Sequence, residues 1–231
     1  MALSQNFRPY LEPTYFIDSG SKEVLEYLHK IIPPDRLIGM SNIEKAVELY
    51  YAVRDNFRYD PYFLDFSIEH MRASYLLGEK NLERGKGYCI TKAIKLAALG
   101  RAAYIPTRLH FYIVENHIAA GRFFDLIGTN ILAPHAGVDF YLNDRWVSTT
   151  PSFNKELCDK LGVDALDFNG VDDSKFQQYN RSGDQYMQYL FDLGHYSDVP
   201  RGLILKVFSF FYPQLFDGTI TAEKDGIEVI L

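Results

Sequence analysis

In KEVLEYLHKIIPP, the residues Val24, Leu25, Leu28, Ile31 and Ile32 fall on one side of a 3.6-residue repeat until the prolines interrupt it, which predicts a short amphipathic helix. The signal strengthens in NIEKAVELYYAVRDNF. Ser41 stands ahead of that stretch with Glu44 three positions on, the spacing of a reciprocal N-terminal cap, and Ile43, Val47, Leu49, Tyr50 and Val53 supply the packing side. The aromatic turn FRYDPYF follows, and SIEHMRASYLLGEKNLE resumes helical spacing. Gly85 and Gly87 permit a tight turn, after which Ile90, Ala93, Ile94, Ala97 and Ala98 of ITKAIKLAALG predict a largely buried helix.

After Gly100 the period changes. AYIPTRLHFYIV is strand-like, with Pro106 favouring an edge or irregular start, and HIAAGRFFDLI reads as a loop followed by another strand. HAGVDFYLNDRWVSTTP predicts a hairpin: Gly137 to Leu142, a turn at Asn143 and Asp144, and a return over Arg145 to Thr149. Val138, Phe140 and Leu142 then share one face, and His135 lies at the strand entrance. Beyond Asn154, KELCDKLGV suggests a short helix. In DDSKFQQYNRSGDQYMQYLFDLGHY, glycines divide a run of aromatic positions that suits core packing or an apolar substrate groove. RGLILKVFSFFYPQLF is expected to dock on the core and KDGIEVIL to form a terminal strand. With no internal repeat or low-complexity linker, residues 1–231 read as a single domain. Its core lies near 42–155, with an N-terminal helical extension and a C-terminal extension, 156–231, that would cover a cleft and restrict substrate size.

Composition narrows the function classes. A chain of 231 residues, 47% hydrophobic and 23% charged, can bury a substantial core. The formal net charge of -6 argues against a general nucleic-acid binder, and the basic pairs in GEKNLERGK do not build a basic surface. No apolar stretch is long enough to cross a bilayer and MALSQNFRPYLEPTY lacks a basic-then-apolar leader, so the expected setting is cytoplasmic, without nucleic-acid or membrane partners. Cys89 and Cys158 are too few for a disulfide framework or an all-cysteine metal site, which fits a reducing compartment. His110, His117 and His135 lack a paired metal-binding spacing, and Gly85 and Gly87 lack the rest of a phosphate loop; neither metal nor cofactor is expected.

Cys89 is the residue that composition leaves unexplained. It stands at the threshold of a helix, where unpaired backbone amides and the helix dipole stabilise a thiolate, the attacking form of cysteine. Cys158 has no comparable surroundings and reads as structural. Trp146 suits sheet packing, while Arg108 and Arg145 suit local salt bridges or acidic substrate groups.

GKGYCITKAIKLAALGRAAYIPTRL followed by HAGVDFYLNDRWVSTTPSFN resembles the transglutaminase-like, papain-related cysteine hydrolase superfamily, and AVELYYAVRDNFRYDP is similar to its supporting helix and turn. The resemblance spans roughly residues 42 to 155. It implies an α+β fold in which the nucleophile-bearing helix packs against an antiparallel sheet, with Cys89 as nucleophile and His135 as base. The family's third position, normally an aspartate just before the proline, is Thr150 before Pro151. A threonine hydroxyl can hydrogen-bond an imidazole but cannot supply a carboxylate's stabilisation of imidazolium. Asp139, Asp144 and Asn154 are the neighbouring alternatives.

The function the resemblance implies is a cysteine hydrolase, a protease or amidase, that forms a thioester with a peptide or small amide. The alternative is a catalytically impaired binding or structural protein with an unidentified protein partner, as the loss of the aspartate suggests. Acyl transfer ranks below both, since no acceptor-site feature selects it.

Overall fold

The computed structural model describes residues 7–118 and 121–231. The first six residues of the N-terminal extension, and Ala119 and Ala120 within the stretch read as loop plus strand, lie outside the described residues. Helix α1 (Lys22–Ile31) buries Val24, Tyr27 and Leu28, but turns Leu25 outward, so Tyr27 takes the core position that the repeat gave to Leu25. Helix α2 (Asn42–Asn56) starts at the expected cap: the Glu44 amide donates to Ser41 Oγ at 3.3 Å and the Ser41 amide to Glu44 Oε2 at 2.7 Å. The stretch after the aromatic turn forms two short helices, Ala73–Leu76 and Glu79–Arg84, the second ended by Gly85 at φ +56°.

Helix α3 (Cys89–Ala102) is buried along almost its whole length. Tyr88 precedes it, and the Tyr88 amide donates to Thr91 Oγ1 at 3.0 Å, satisfying a donor just ahead of the helix. Strands β1 (Thr107–Asn116), β2 (Ile131–Leu142), β3 (Arg145–Thr149) and β4 (Met187–Tyr196) form one antiparallel sheet in the order β3-β2-β1-β4. Ala136, Val138, Phe140 and Leu142 join the α3 residues in the main core. Tyr112, Val114, Leu132 and Met187 form a second cluster with Cys158 of helix α4 (Lys155–Leu161). The fold is therefore α+β, with the helix that opens at Cys89 packed against an antiparallel sheet.

Several details differ from the sequence pattern. β1 is an interior strand, because the C-terminal extension contributes β4 to its far side, pairing His110 with His195; Pro106 falls just before the ladder and disturbs nothing. β2 begins at Ile131 rather than Gly137, so His135 lies inside the strand opposite Tyr112. Arg122–Ile127 is a helix rather than a strand, flanked by Gly121 at φ +96° and Gly128 at φ +66°; its run of apolar residues is too short for periodicity to separate the two. The Asn143 and Asp144 turn is as expected, both residues having positive φ. Helix α5 (Arg201–Phe211) packs on β2, and Glu228–Ile230 pairs in parallel with Phe63–Asp65. Among the described residues no helix is long and apolar enough to cross a membrane.

Gly100 sets the distance between α3 and the sheet. A Cβ there would meet Thr107 Cγ2 at 2.5 Å and Phe140 Cε1 at 2.8 Å, and Thr107 is held in place by its hydroxyl, which donates to the Ala97 carbonyl at 2.8 Å. Alanine normally favours a helix over glycine by about 1 kcal/mol. Here overpacking outweighs that gain, and Gly100→Ala is expected to destabilise the fold by about 1–3 kcal/mol in urea denaturation.

Candidate active site

Cys89 opens α3 with its sulfur against β2: Sγ lies 4.0 Å from the Pro134 carbonyl oxygen, next to the Ala136 amide. The thiol thus meets the backbone on both sides of His135. Two opposing effects set its acidity. Burial pushes the thiol up to about 11, against the pull of the amides of Ala136, Ile90 and Cys89 itself, which favour the thiolate. The amides do not win, because the residue is only 6% exposed.

His135 is also buried, and burial lowers its imidazole to about 4. Among the described residues its Nδ1 has no hydrogen-bond partner, nor do the buried hydroxyls of Thr150 and Ser152. These three side chains line one narrow cavity of about 10 Å³, room for about one water molecule. Gly137 leaves space for the Thr150 hydroxyl, since a Cβ there would come within 3.0 Å of it. The structure therefore brings His135 and Thr150 to a common cavity and Cys89 to the backbone flanking His135. No hydrogen bond joins the three side chains among the described residues.

The other carboxylate and amide neighbours are engaged elsewhere. Asp139 accepts from Arg108 Nε at 2.9 Å and Ser148 Oγ at 2.6 Å and lies 3.1 Å from His195 Nε2. Burial alone would raise the Asp139 carboxyl, but His110, His195 and Ser148 hold it well below the usual carboxylate range. Asp144 is a turn residue at φ 63°. Asn154 precedes α4 and turns its Oδ1 to the Tyr59 amide at 3.0 Å. Arg108 is thus a salt-bridge residue and also lies 4.2 Å over the Trp146 ring, which packs on Tyr141.

His110, Asp139 and His195 place donor atoms within 4.8 Å of one another, a set of ligand types suited to zinc. The set fits a cation poorly, because both Asp139 oxygens already face donors and one of these is the Arg108 guanidinium. His117 lies apart, at 3.1 Å from Gln188.

Three contributors escape the sequence pattern. Lys92, wholly buried on α3, donates from Nζ to the carbonyls of Arg54 at 2.8 Å, Phe57 at 2.7 Å and Ser152 at 2.7 Å. Its place three residues after Cys89, on the same helix face, is the only sequence signal it gives. Tyr212, just past α5, accepts from the Ala133 amide at 2.7 Å and donates to the Ile131 carbonyl at 2.8 Å, fixing the strand ahead of His135. Tyr59 is the third: burial pushes its phenol well above the ordinary range, and the neighbouring Cys89 sulfur adds to the shift.

Residues 37–151 match the family described as the transglutaminase-like superfamily. Among solved structures, the crystal structure of a candidate cysteine protease from Cytophaga hutchinsonii aligns at 17% identity with a TM-score of 0.41, over 65% of this chain and 43% of that one. The chain therefore spans less than half the length of that structure. Among curated proteins no match was found.

Two outcomes follow from burial. The unfolded chain protonates His135 near 6.5 and the folded chain only near 4, so between those values the unfolded state binds more protons and stability falls as pH falls. Between pH 7 and pH 4.5 the loss is roughly 2 kcal/mol, and His135→Gln is expected to remove that part of the difference between urea melts at those two pH values. Lys92→Met leaves buried carbonyls without donors and is expected to cost more than about 3 kcal/mol in the same measurement.

Proposed function

Residues 37–151 belong to the transglutaminase-like superfamily, and from that premise we propose that the protein is a cysteine hydrolase acting on a peptide or small amide through a thioester at Cys89. The observation that carries the reading is the seating of Cys89 Sγ at a helix N-terminus, against the backbone on both sides of His135. A reducing compartment is part of it, keeping Cys89 and Cys158 as free thiols.

In this reading thiol and imidazole are both neutral at pH 7, so the proton moves during attack rather than beforehand. His135 takes the proton from Sγ as sulfur bonds to the carbonyl carbon, and the C=O π pair moves to oxygen. The amides of Cys89 and its neighbours are the candidate donors to that oxyanion. Collapse expels the amine, which receives the proton from His135, and leaves the thioester. Water then attacks with His135 as base; the sulfur departs and is reprotonated. An amine in place of water would give acyl transfer.

A second reading rests on the same cavity. The absence of any hydrogen bond linking Cys89, His135 and Thr150, with a hydroxyl where the family has a carboxylate, favours a protein that retains the fold for binding a protein partner.

Labelling of Cys89 by iodoacetamide, with mass spectrometry to fix the site, separates the two. For the hydrolase, His135→Ala is expected to slow labelling at pH 7 at least tenfold and to abolish turnover of an amide substrate. Thr150→Asp, which puts a carboxylate beside the imidazole, is expected to accelerate labelling severalfold. Equal rates in all three proteins would sink the coupled pair and leave the binding reading.

A further inference from the structure

Beside the nucleophile lies a second, larger cavity of about 240 Å³. Its lining includes Tyr59, whose backbone pairs with Gly87 two residues ahead of Cys89, and Phe153, which also lines the narrow cavity at His135. The two rings meet edge to face at 4.8 Å. Leu132, Phe124 and Leu157 line it further, and Leu132 lies on β2 just ahead of Pro134. An apolar cavity of about 150 Å³ is enough to hold benzene, so this one accommodates a benzyl or phenol group with space for part of a backbone.

Its polar features are few and specific. The guanidinium of Arg122 donates to the Asp225 carbonyl at 2.7 Å and is the one charge in the lining, which holds no carboxylate among the described residues, so a cationic side chain finds no partner there. Tyr186, 2% exposed, and Asn116 place their polar groups near one another in this wall, and the Tyr186 hydroxyl makes no well-aligned hydrogen bond among the described residues. A mainly aromatic wall with one unspent hydroxyl suits an aromatic group attached to something that hydrogen-bonds.

We infer that this cavity is a specificity site that takes the aromatic side chain of a phenylalanine or tyrosine residue next to the carbonyl under attack. The inference rests on the cysteine hydrolase reading only for where that side chain belongs; its binding needs no chemistry. Edge-to-face packing against Tyr59 and Phe153 selects rings over small side chains, and the Tyr186 hydroxyl meets the residue's polar end.

The test uses the Cys89→Ala protein, its folding checked by circular dichroism, titrated with N-acetyl-phenylalanine amide and N-acetyl-alanine amide and followed by NMR. The phenylalanine amide is expected to bind at least tenfold more tightly. Leu157→Trp, which fills the cavity, is expected to erase that preference. Should Leu157→Trp not fold, Phe124→Ala removes one aromatic wall and is expected to cut the preference severalfold. Equal affinity for the two amides, or a preference that survives in a folded cavity variant, overturns the inference. Preference without an activated thiol would sink the hydrolase reading alone, and an activated thiol without preference would sink the cavity alone.

Discussion

The ammonium of Lys92 holds together the parts on which the site depends. From inside the helix that begins with Cys89 it reaches the end of α2, the turn after it, and the segment that follows β3. A lysine is costly to bury, and burial drives its pKa well below the usual range; the hydrogen bonds offset part of that cost and give the arrangement a single geometry. The segment thus fixed contains Ser152 and follows directly on Thr150, so the cavity wall at His135 is positioned from the helix that carries Cys89.

Burial also decides the charge state of the pair. A thiol pushed up and an imidazole pushed down are both consequences of dry surroundings, and together they disfavour a preformed thiolate and imidazolium. A carboxylate at position 150 would shift that balance by stabilising imidazolium, whereas a hydroxyl leaves it almost untouched. The departure at Thr150 and the neutrality of the pair are therefore one electrostatic fact seen from two sides. The helix amides temper it without reversing it.

Much of the core was legible because local rules and tertiary need agreed. The Ser41 and Glu44 cap, the Asn143 and Asp144 turn and the alternation of Val138, Phe140 and Leu142 each follow from short-range chemistry, and each stands in the fold. Cys89 and His135 became a candidate pair only through the resemblance, since alone each suits a core position. What could not be read was set by long-range pairing. β4 turns β1 into an interior strand from a distant part of the chain, and Tyr212 reaches Ala133 in the same way. Asp139 illustrates the limit: sequence proximity made it a candidate partner for His135, while pairing across the sheet committed it to Arg108, Ser148 and His195.

That commitment has a consequence for how the protein can vary. One buried carboxylate answers to side chains on β1, β3 and β4, so the alignment of all the strands in the sheet converges on a single residue of β2. Slipping any strand by one residue would turn its contribution to the opposite face and orphan a charge. Changes at these positions cannot be independent: losing one donor alters what the others are worth, and such a cluster is replaced jointly or kept whole. The sheet that presents His135 thus carries a lock on its own alignment, separate from the chemistry and indifferent to what is bound.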